Sequence, residues 1–554
     1  DFFEGEDEEG QLQHILTYIQ GHSDDTAFQA MKMIDLSQEQ QLQVEDKLTP
    51  LAGVLKLSEN ATLSLKDSSF TKNIAHEASA IGCTSSTSSK SIFTNIEFKN
   101  NQAIASEGRP GQITIKLIDC VLDFNTAVFS HNFAETKTSG IFLISSTIVV
   151  KNSQFSQQGN QLATGFIYAN ADASVEVANS DFNQGTGRLG GAVFAISARK
   201  LEFSNCIFSN NVGLIGGGIY SLYTETVSLI TVTFQGNEAV EEADDLFIST
   251  SQTLSLTGGS RFLGSAMMGR LMIFSTAEVL VEKIILDGCP VTVSNYDDLF
   301  DTTKSIFQRY QSWKPTQDNA ECSVQSETSA NRLDVMKIAD CTKVTVTNSF
   351  FLTQTSTNGS ALELSWQFLS SENREISETK ISECVFDGNS SENSTSAIKL
   401  MNPPRVLMNS TLFEQNHSSK GSGGALSFGC TSPAPSSCSL DIAMDPKTSL
   451  PVKFIENSAG NSGGAIFWTQ VEPRFDESRV EFQNNIAKYG ENIAAIPYTI
   501  VHVKSFNVEK VDFEASDITS EAPLVLSDLR SGMSVEDDLY FAIVDTYGQV
   551  MKTD

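Results

Sequence analysis

One pentapeptide near the end of the 554-residue chain has the spacing of a hydrolase nucleophile. Gly460-Asn461-Ser462-Gly463-Gly464 fits the pattern G-x-S-x-G, in which a serine on a sharp strand-to-helix turn attacks a carbonyl carbon. A helix must follow such a serine, but Ala-Ile-Phe-Trp follows here, which is typical of a strand. We therefore interpret Ser462 as a small polar residue in a turn.

A second glycine pattern has the spacing of a dinucleotide-binding loop. Gly185, Gly187 and Gly190 spell G-x-G-x-x-G. The glycines of such a loop need a strand before them and a helix after them. The sequence Gly-Ala-Val-Phe-Ala that follows Gly190 predicts a strand, so we expect no nucleotide site.

Two carboxylates could serve polysaccharide cleavage. Asp123 and Asp181 each precede a phenylalanine in strand-like segments, so both could lie on one face of a sheet. Two coils of a β-solenoid would separate them by roughly 10 Å, which exceeds the usual separation in inverting glycosidases. A carbohydrate-active enzyme, either a polysaccharide lyase or a glycosidase, is thus the alternative hypothesis, and we assign no catalytic residue.

The glycines at 463 and 464 are explained by an internal repeat. The motif Phe-x-x-Asn recurs, and its spacing of 26–28 residues is typical of a solenoid. We also interpret Phe124, Phe155, Phe182, Phe262 and Phe351 as degenerate copies. A Gly-Gly pair with a small and an aliphatic residue follows several copies. The residues that we assign to this structural repeat are Phe208, Asn211, Gly217, Gly218, Phe413, Asn416, Gly423, Gly424, Phe454, Asn457, Gly463, Gly464, Phe482 and Asn485.

Three short β-branched strands and three turns per repeat predict an all-β fold, a right-handed parallel β-helix over residues 51–515. We expect a phenylalanine column inside it and asparagines that bond the coils above and below. The glycine pairs should permit positive φ and close backbone approach. About 16 coils would give a rod roughly 80 Å long.

The repeat is lost in three places. Residues 1–50 are expected to cap the open N-terminal coil, which would otherwise expose unpaired backbone groups. Residues 297–335 are an insertion, either a loop or a short helix, that could cover a groove or lie on a binding face. Residues 516–554 alternate like the opening strands of an immunoglobulin-like module, which either pack on the end of the β-helix or continue in a longer chain.

The nine cysteines lack C-x-x-C pairs, which argues against zinc sites. Cys430 and Cys438 flank a Pro-rich loop and are the favoured disulfide. Cys322 with Cys341 is a second candidate pair. Cys120, Cys206 and Cys384 lie in strand-like segments and are expected to be buried free thiols.

The chain has a formal net charge of −31, which excludes a nucleic-acid partner. No apolar run is long enough to span a bilayer. Acidic clusters occur at residues 4–9, 238–245 and 297–301, and one of them could bind calcium weakly. We expect no cofactor and assign no metal site.

Six sequons for N-linked glycans occur in the chain. They begin at Asn60, Asn358, Asn389, Asn393, Asn409 and Asn416. Together they predict N-linked glycans and therefore an extracellular or cell-surface location that is reached through the secretory pathway.

Phe-x-x-Asn alternating with Gly-Gly-Ala-Ile resembles the repeats of the chlamydial polymorphic outer-membrane proteins. It is also similar to repeats in surface proteins of single-celled eukaryotes with a pectin-lyase-like β-helix, the branch that the sequons favour. The resemblance covers roughly residues 51–513 and implies a surface stalk used for adhesion. We therefore predict a non-enzymatic structural or adhesive glycoprotein whose partners are other surface or matrix proteins, or copies of itself in a filament.

Overall fold

The computed structural model describes residues 55–58, 61–75, 78–103, 113–134, 138–159, 165–264, 268–288, 296–314, 333–367, 377–431, 438–443, 450–503 and 540–551. The expected N-terminal cap, residues 1–50, lies outside this range. Within the range the chain is a parallel β-helix of about 13 turns, as the sequence predicted.

Each turn passes through three parallel strand columns, named sheets 1, 2 and 3 in chain order. Two long strands, Ala78–Lys99 and Ile113–Ser130, bend through all three sheets, and Ser64–Thr71 runs through sheets 2 and 3. The other strands of sheet 1 are Leu55–Ser58, Thr138–Ile144, Ile167–Asn170, Val193–Ile196, Ile219–Leu222, Leu246–Ser249, Leu271–Phe274, Met336–Ala339, Leu362–Ser365, Ile398–Met401, Leu426–Gly429, Ile466–Thr469 and Ile493–Ala495. Those of sheet 2 are Thr147–Lys151, Ser174–Ala178, Lys200–Ser204, Thr226–Ile230, Thr253–Thr257, Glu278–Glu282, Lys343–Thr347, Glu378–Ser382, Arg405–Asn409, Ser439–Ile442 and Arg474–Phe475.

Sheet 3 carries the phenylalanines of the repeat. Its remaining strands are Gln154–Gly159, Asp181–Thr186, Ile207–Ser209, Thr233–Gln235, Ser260–Leu263, Ile284–Asp287, Phe350–Leu352, Val385–Asp387, Leu412–Glu414, Val452–Ile455 and Val480–Gln483. Short strands also occur in the turns that lead from sheet 3 back to sheet 1. These are Ile74–Ala75, Gln102–Ala103, Phe133–Ala134, Val212–Ile215, Glu238–Glu242, Thr355–Ser356, Ser390–Ser391, His417–Ser418 and Ser458–Ala459.

The core of sheet 3 is a column of stacked rings. Where consecutive turns both supply a phenylalanine, the ring centroids lie 4.4–5.2 Å apart and the planes are nearly parallel. Leu286 takes the place of a ring between Phe262 and Phe351. The spacing follows from the strand separation, because in-register parallel strands place identical side chains directly above one another.

The sequence assigned Phe124 to this column, and that assignment was wrong. Phe124 pairs with Phe93 in sheet 2, whereas Phe129 is aligned with Phe98 in sheet 3. Phe129 and Asn132 are therefore a copy of the motif that the pattern search missed. Both phenylalanines are buried, so hydrophobicity alone could not distinguish them.

The rod is also shorter than expected. About 13 turns at the strand spacing give roughly 60 Å. Some single turns use far more residues than 27, because they carry insertions. One turn takes the chain from Leu286 to Phe351, and another from Phe413 to Phe454.

The largest insertion covers the outer face of sheet 3. Helix Ile306–Trp313 begins with a capping box between Ser305 and Gln308, and a 3-10 helix, Tyr296–Phe300, precedes it. They pack on four consecutive outward side chains of the sheet that are all apolar, namely Ile285, Phe350, Val385 and Leu412. The earlier outward positions are mostly polar, as with Asp181 and Thr233, and Ile207 between them is an exception. The outward sequence of the sheet therefore determines where the helix docks.

The C-terminal residues form a two-stranded antiparallel unit on the end of the rod. Strand Pro497–Val503 pairs with Tyr540–Asp545, and a 3-10 turn, Glu477–Arg479, lies in the preceding coil. The backbone N–H of Ala495 donates to Asp545 at 3.2 Å, and the indole of Trp468 donates to the Tyr547 hydroxyl at 2.9 Å. These strands thus pack on the end of the β-helix, which is one of the two arrangements that the sequence left open.

Candidate functional surfaces

The repeat asparagines form an amide ladder inside the turn after sheet 3. Asn416 donates its side-chain amide to the carbonyl of Phe386 in one neighbouring coil and to Oδ1 of Asn457 in the next. The same Oδ1 accepts the backbone N–H of Asn416. Asn389 and Asn457 repeat these bonds. The Asn416 side chain thus bonds two backbone groups of the preceding coil, the Phe386 carbonyl and the Asn389 N–H, and the Asn457 side chain of the next, which explains why the motif fixes this residue.

Two further ladders occupy the same position nearer the N-terminus. Asn73, Asn101 and Asn132 form one of them. In the other, Asn211 donates to Asn237, which donates to Asp245. A buried ion pair completes this ladder, since Arg270 lies 2.7 Å from the Asp245 carboxylate. Burial raises the pKa of Asp245, and the Arg270 guanidinium opposes that shift.

The glycine pairs let each coil approach the next. Gly463 has a φ of +63°, and a Cβ on Gly464 would lie 2.2 Å from the carbonyl oxygen of Glu491. In the coil of Ile219 the pair is Gly216-Gly217 rather than Gly217-Gly218. Gly216 has the positive φ of +67°, and Gly218 stands where other coils have alanine. The sequence assignment was wrong by one residue because three consecutive glycines allow either register.

Neither of the two glycine patterns has the geometry that a nucleophile turn or a dinucleotide-binding loop requires. Ser462 is buried, donates to the Ser422 hydroxyl at 2.8 Å and is followed by strand Ile466–Thr469. Strand Val193–Ile196, not a helix, follows Gly190. Both patterns therefore arise from the repeat.

Four of the cysteines that the structure describes are paired in disulfides. Cys430 and Cys438 form the disulfide that the sequence favoured. Cys83 and Cys120 form a second one between successive coils, so the expectation that Cys120 is a free thiol was wrong. Cys341 is free and buried, which contradicts its pairing with Cys322, a residue outside the described range. Cys206 and Cys384 are buried free thiols, as expected, and burial raises the pKa of Cys206 to about 11 and that of Cys384 to about 12.

The sequons divide into two groups. Asn389, Asn409 and Asn416 are 0–3 % exposed, and the first and last belong to the amide ladder. A glycan on any of these three would not fit the folded coil, so they are not acceptors in this structure. Asn358 and Asn393 are exposed, and Asn60 lies outside the described residues.

Charged residues are buried on the outer face of sheet 1. Lys337, Glu363 and Lys399 lie side by side on three successive strands, with Nζ–O distances of 3.2 Å and 2.9 Å to Glu363. Asp334 packs beside them and accepts a bond from the backbone N–H of Ser360 at 2.7 Å. We call Asp334, Lys337, Glu363 and Lys399 the ionic cluster.

The pKa values of the two carboxyls of the ionic cluster shift in opposite directions. Burial, reinforced by the negative charge of Glu363, raises the pKa of Asp334 to about 7. Burial would also raise the pKa of Glu363, but Lys337 and Lys399 outweigh it and lower that pKa to about 2. The cluster is thus most favourable with Asp334 protonated and Glu363 ionised.

Lys314, at the end of the insertion helix, joins the helix to sheet 3. It lies 3.2 Å from Asp387 and 3.3 Å from Glu414 on adjacent strands. Burial raises the pKa of Asp387, while Lys314 opposes that rise. The insertion is therefore held by charge as well as by apolar packing.

Among the described residues, most outward side chains of sheet 2 are at least partly exposed. They are mainly hydroxyls, as in Thr226 and Thr253, or charged groups, with an occasional aliphatic residue such as Leu280. Lys200 lies 2.9 Å from both Glu176 and Glu202, and Lys343 pairs with Glu278. By contrast, turn residues such as Leu189 and Ile215 cover the outward aromatic residues of sheet 1. Sheet 2 thus presents a mainly polar outer face among the described residues.

The two aspartates of the enzyme hypothesis do not share a face. Asp123 lies in sheet 2, where it pairs with Lys90 at 2.5 Å, and Asp181 lies in sheet 3. The expectation of a common face was wrong, because residues 121–125 form the sheet 2 part of strand Ile113–Ser130, whereas Phe129 lies in its sheet 3 part.

The acidic clusters that the structure describes have protein partners. Asp245 pairs with Arg270, and Asp297 lies 2.6 Å from Arg261. Among the described residues no three His, Cys, Asp or Glu side chains come together as metal ligands, and no helix combines the length and apolarity needed to cross a membrane.

Residues 451–467 match the repeat of the Chlamydia polymorphic membrane protein family. The matched segment contains Phe454 and Asn457 of the ladder and the pair Gly463-Gly464. A search of curated proteins gave no match to the chain. The chain is thus a β-helix that carries a repeat of the polymorphic membrane protein type, and such a repeat indicates a protein of the outer membrane or cell surface.

Proposed function

We propose that this chain is a non-enzymatic structural or adhesive protein of the cell surface, in which the β-helix is a rigid rod. The observation that carries the proposal is the stacking of coils along about 13 turns, in which a column of phenylalanine rings, interrupted at Leu286, and three ladders of buried side-chain amides join neighbouring coils. A solenoid of this kind is stiff along its axis and presents extended flat faces. The match to a surface-protein repeat supports the same location.

The outer face of sheet 2 is the contact surface in this proposal. The middle of sheet 1 is covered by its own turns, and part of sheet 3 is covered by the insertion helix. The partners are other surface or matrix proteins, or further copies of the chain in a filament. Two disulfides are consistent with an oxidising, extracellular compartment reached through the secretory pathway. We place the protein with the pectin-lyase-like β-helices of single-celled eukaryotes.

Surface exposure and binding are tested separately. An antibody against the rod should label intact native cells, and external protease should remove the label. Beads coated with the chain should bind those cells. A double variant, Lys200→Glu with Lys343→Glu, should reduce bead binding several-fold, because it reverses two charges on sheet 2. Lys453→Glu, the same change on sheet 3, should leave binding unchanged.

Three results would overturn the proposal. The first is a label that external protease cannot reach, and the second is equal binding by all the variants. The third is release of unsaturated or reducing sugars from polysaccharides by the purified chain, which would establish the enzyme instead.

A further inference from the structure

We propose that Asn358 and Asn393 carry N-linked glycans and that these form an adjacent pair on one edge of the rod. The inference rests on the secretory location proposed above. It goes further because it selects two acceptors from the five sequons that the structure describes.

Burial excludes the other three. The side-chain amides of Asn389 and Asn416 each donate two hydrogen bonds inside the ladder, so neither has a free N–H for a sugar. Asn409 is 3 % exposed at the end of a sheet 2 strand. A sugar at any of these positions would have to occupy the space of packed side chains, so a chain modified there could not complete its coil.

Asn358 and Asn393 lie in the turn from sheet 3 to sheet 1, in two neighbouring coils. The backbone N–H of Asn393 donates to the carbonyl of Thr357 at 2.8 Å, which fixes the register of the two turns. Both side chains are exposed, and the amide of Asn393 donates to Oδ1 of Asn358 at 2.9 Å. The two acceptor side chains are therefore in direct contact, although they are 35 residues apart in the sequence.

The chemistry of transfer is compatible with that contact. The amide nitrogen displaces the diphosphate of a lipid-linked oligosaccharide, so an N–C bond to the first sugar forms, the sugar–oxygen bond breaks and the nitrogen loses one proton. One N–H remains on the modified nitrogen. Asn393 can therefore carry a glycan and still donate to Asn358.

The sequon hydroxyls indicate when the transfer occurs. The Ser360 hydroxyl donates to Asp334 at 3.0 Å, and the Thr395 hydroxyl donates to the carbonyl of Ser422 at 3.0 Å. Both residues are buried, so a transferase cannot reach these hydroxyls in the finished coil. Transfer precedes folding, and among the five described sequons the fold then accommodates sugars only at the two exposed asparagines. The pair of glycans would cover the neighbouring ion pair of Glu392 and Lys420.

The test is to secrete the full chain from cultured eukaryotic cells and to map its glycans. Enzymatic release in heavy-oxygen water converts each occupied asparagine into a labelled aspartate, which peptide mass spectrometry locates. We expect labels at Asn358 and Asn393 and none at Asn389, Asn409 or Asn416. Asn358→Gln and Asn393→Gln should each remove one glycan from the intact mass without reducing secretion. The matched buried variant, Asn389→Gln, should remove no glycan but should lower secretion, because it breaks the ladder.

A label at any buried sequon of the secreted protein, or bare asparagines at both 358 and 393, would overturn the glycan pair. Neither result bears on the rod, whose surface exposure is measured on native cells. Conversely, a native protein that external protease cannot reach would overturn the proposed function, whatever the glycan map shows.

Discussion

The side-chain amide of Asn416 donates to Oδ1 of Asn457 at 2.9 Å, although 41 residues separate the two in the sequence. The extra residues of this turn leave the register of the coils intact, since Phe413 still stacks on Phe454 with ring centroids 4.8 Å apart. The positions of one ring and one amide thus define a coil whatever the length of its loops.

Asn457→Ala should destabilise the rod by roughly 2–4 kcal/mol, because the change leaves the backbone N–H and one side-chain N–H of Asn416 buried without an acceptor. Chemical denaturation would measure the loss, and hydrogen exchange should show it concentrated in the neighbouring coils. Gln483→Ala is the control, since Gln483 is exposed on sheet 3 and should change stability by less than about 0.5 kcal/mol. Similar losses in the two variants would argue against the ladder as a major source of stability.

Gly464→Ala should lower the stability of the rod at least as much as Asn457→Ala. The new Cβ would lie 2.2 Å from the carbonyl oxygen of Glu491 and 2.7 Å from the backbone nitrogen of Ile486, so the last coil would have to move away. We expect a loss of roughly 3 kcal/mol or more, measured by the shift of the denaturation midpoint. Gly429→Ala is the matched control, because the nearest atom to its Cβ would be a side-chain oxygen at 3.4 Å. A harmless Gly464→Ala would show that the coils are less closely spaced than described.

Most of the fold could be predicted because the repeat is periodic and its residues have few alternatives. A buried ring and a buried amide at fixed spacing are visible in the sequence as Phe-x-x-Asn, and the parallel β-helix followed from them. The pattern was ambiguous only where a neighbouring strand also had an inward phenylalanine, as with Phe124 and Phe129, or where glycines ran together, as at Gly216 to Gly218.

The contacts between distant residues could not be predicted. Cys83 and Cys120 meet because successive coils stack, and no local spacing indicates that they do. The ionic cluster has the same origin, since Lys337, Glu363 and Lys399 become neighbours only through the register of sheet 1. The burial of two sequons has a related origin, because the glycan-acceptor motif is also satisfied when a ladder asparagine, Asn389 or Asn416, stands two residues before a serine.

Removal of the Cys83–Cys120 disulfide should destabilise the first coils more than removal of Cys430–Cys438 destabilises its loop. The two bonds span 37 and 8 residues. The chain-entropy relation then gives about 4 and about 2.5 kcal/mol respectively. Paired Cys→Ser variants, compared by denaturation and by the rate of limited proteolysis near each bond, would measure the difference. The reverse order would show that strain or residual structure outweighs loop length.

The ionic cluster should make stability depend on pH. The pKa of Asp334 is raised to about 7 in the fold from an ordinary 3.8, so between these values the folded state holds a proton that the unfolded chain has lost. The free energy of unfolding should therefore fall as pH rises from about 4 to about 7, by at most about 1.4 kcal/mol per pH unit for this group. Glu363 acts in the opposite sense, since its pKa is lowered, and its contribution is lost below pH 4.5 as the pH approaches 2.

Asp334→Asn isolates the contribution of Asp334, because the amide can still accept from Ser360 but has no proton to lose. The free energy of unfolding of this variant should fall less steeply between pH 4 and 7 than that of the wild type, and the variant should be the more stable of the two at pH 8. Asp172→Asn, the same change at an exposed position, should keep the full pH dependence. Glu363→Gln should instead destabilise at neutral pH, since it leaves Lys337 and Lys399 without their shared partner. The test is to measure the denaturation midpoints of the wild type and the three variants across this pH range. Identical pH dependence for Asp334→Asn and the wild type would show that Asp334 is already ionised in the fold.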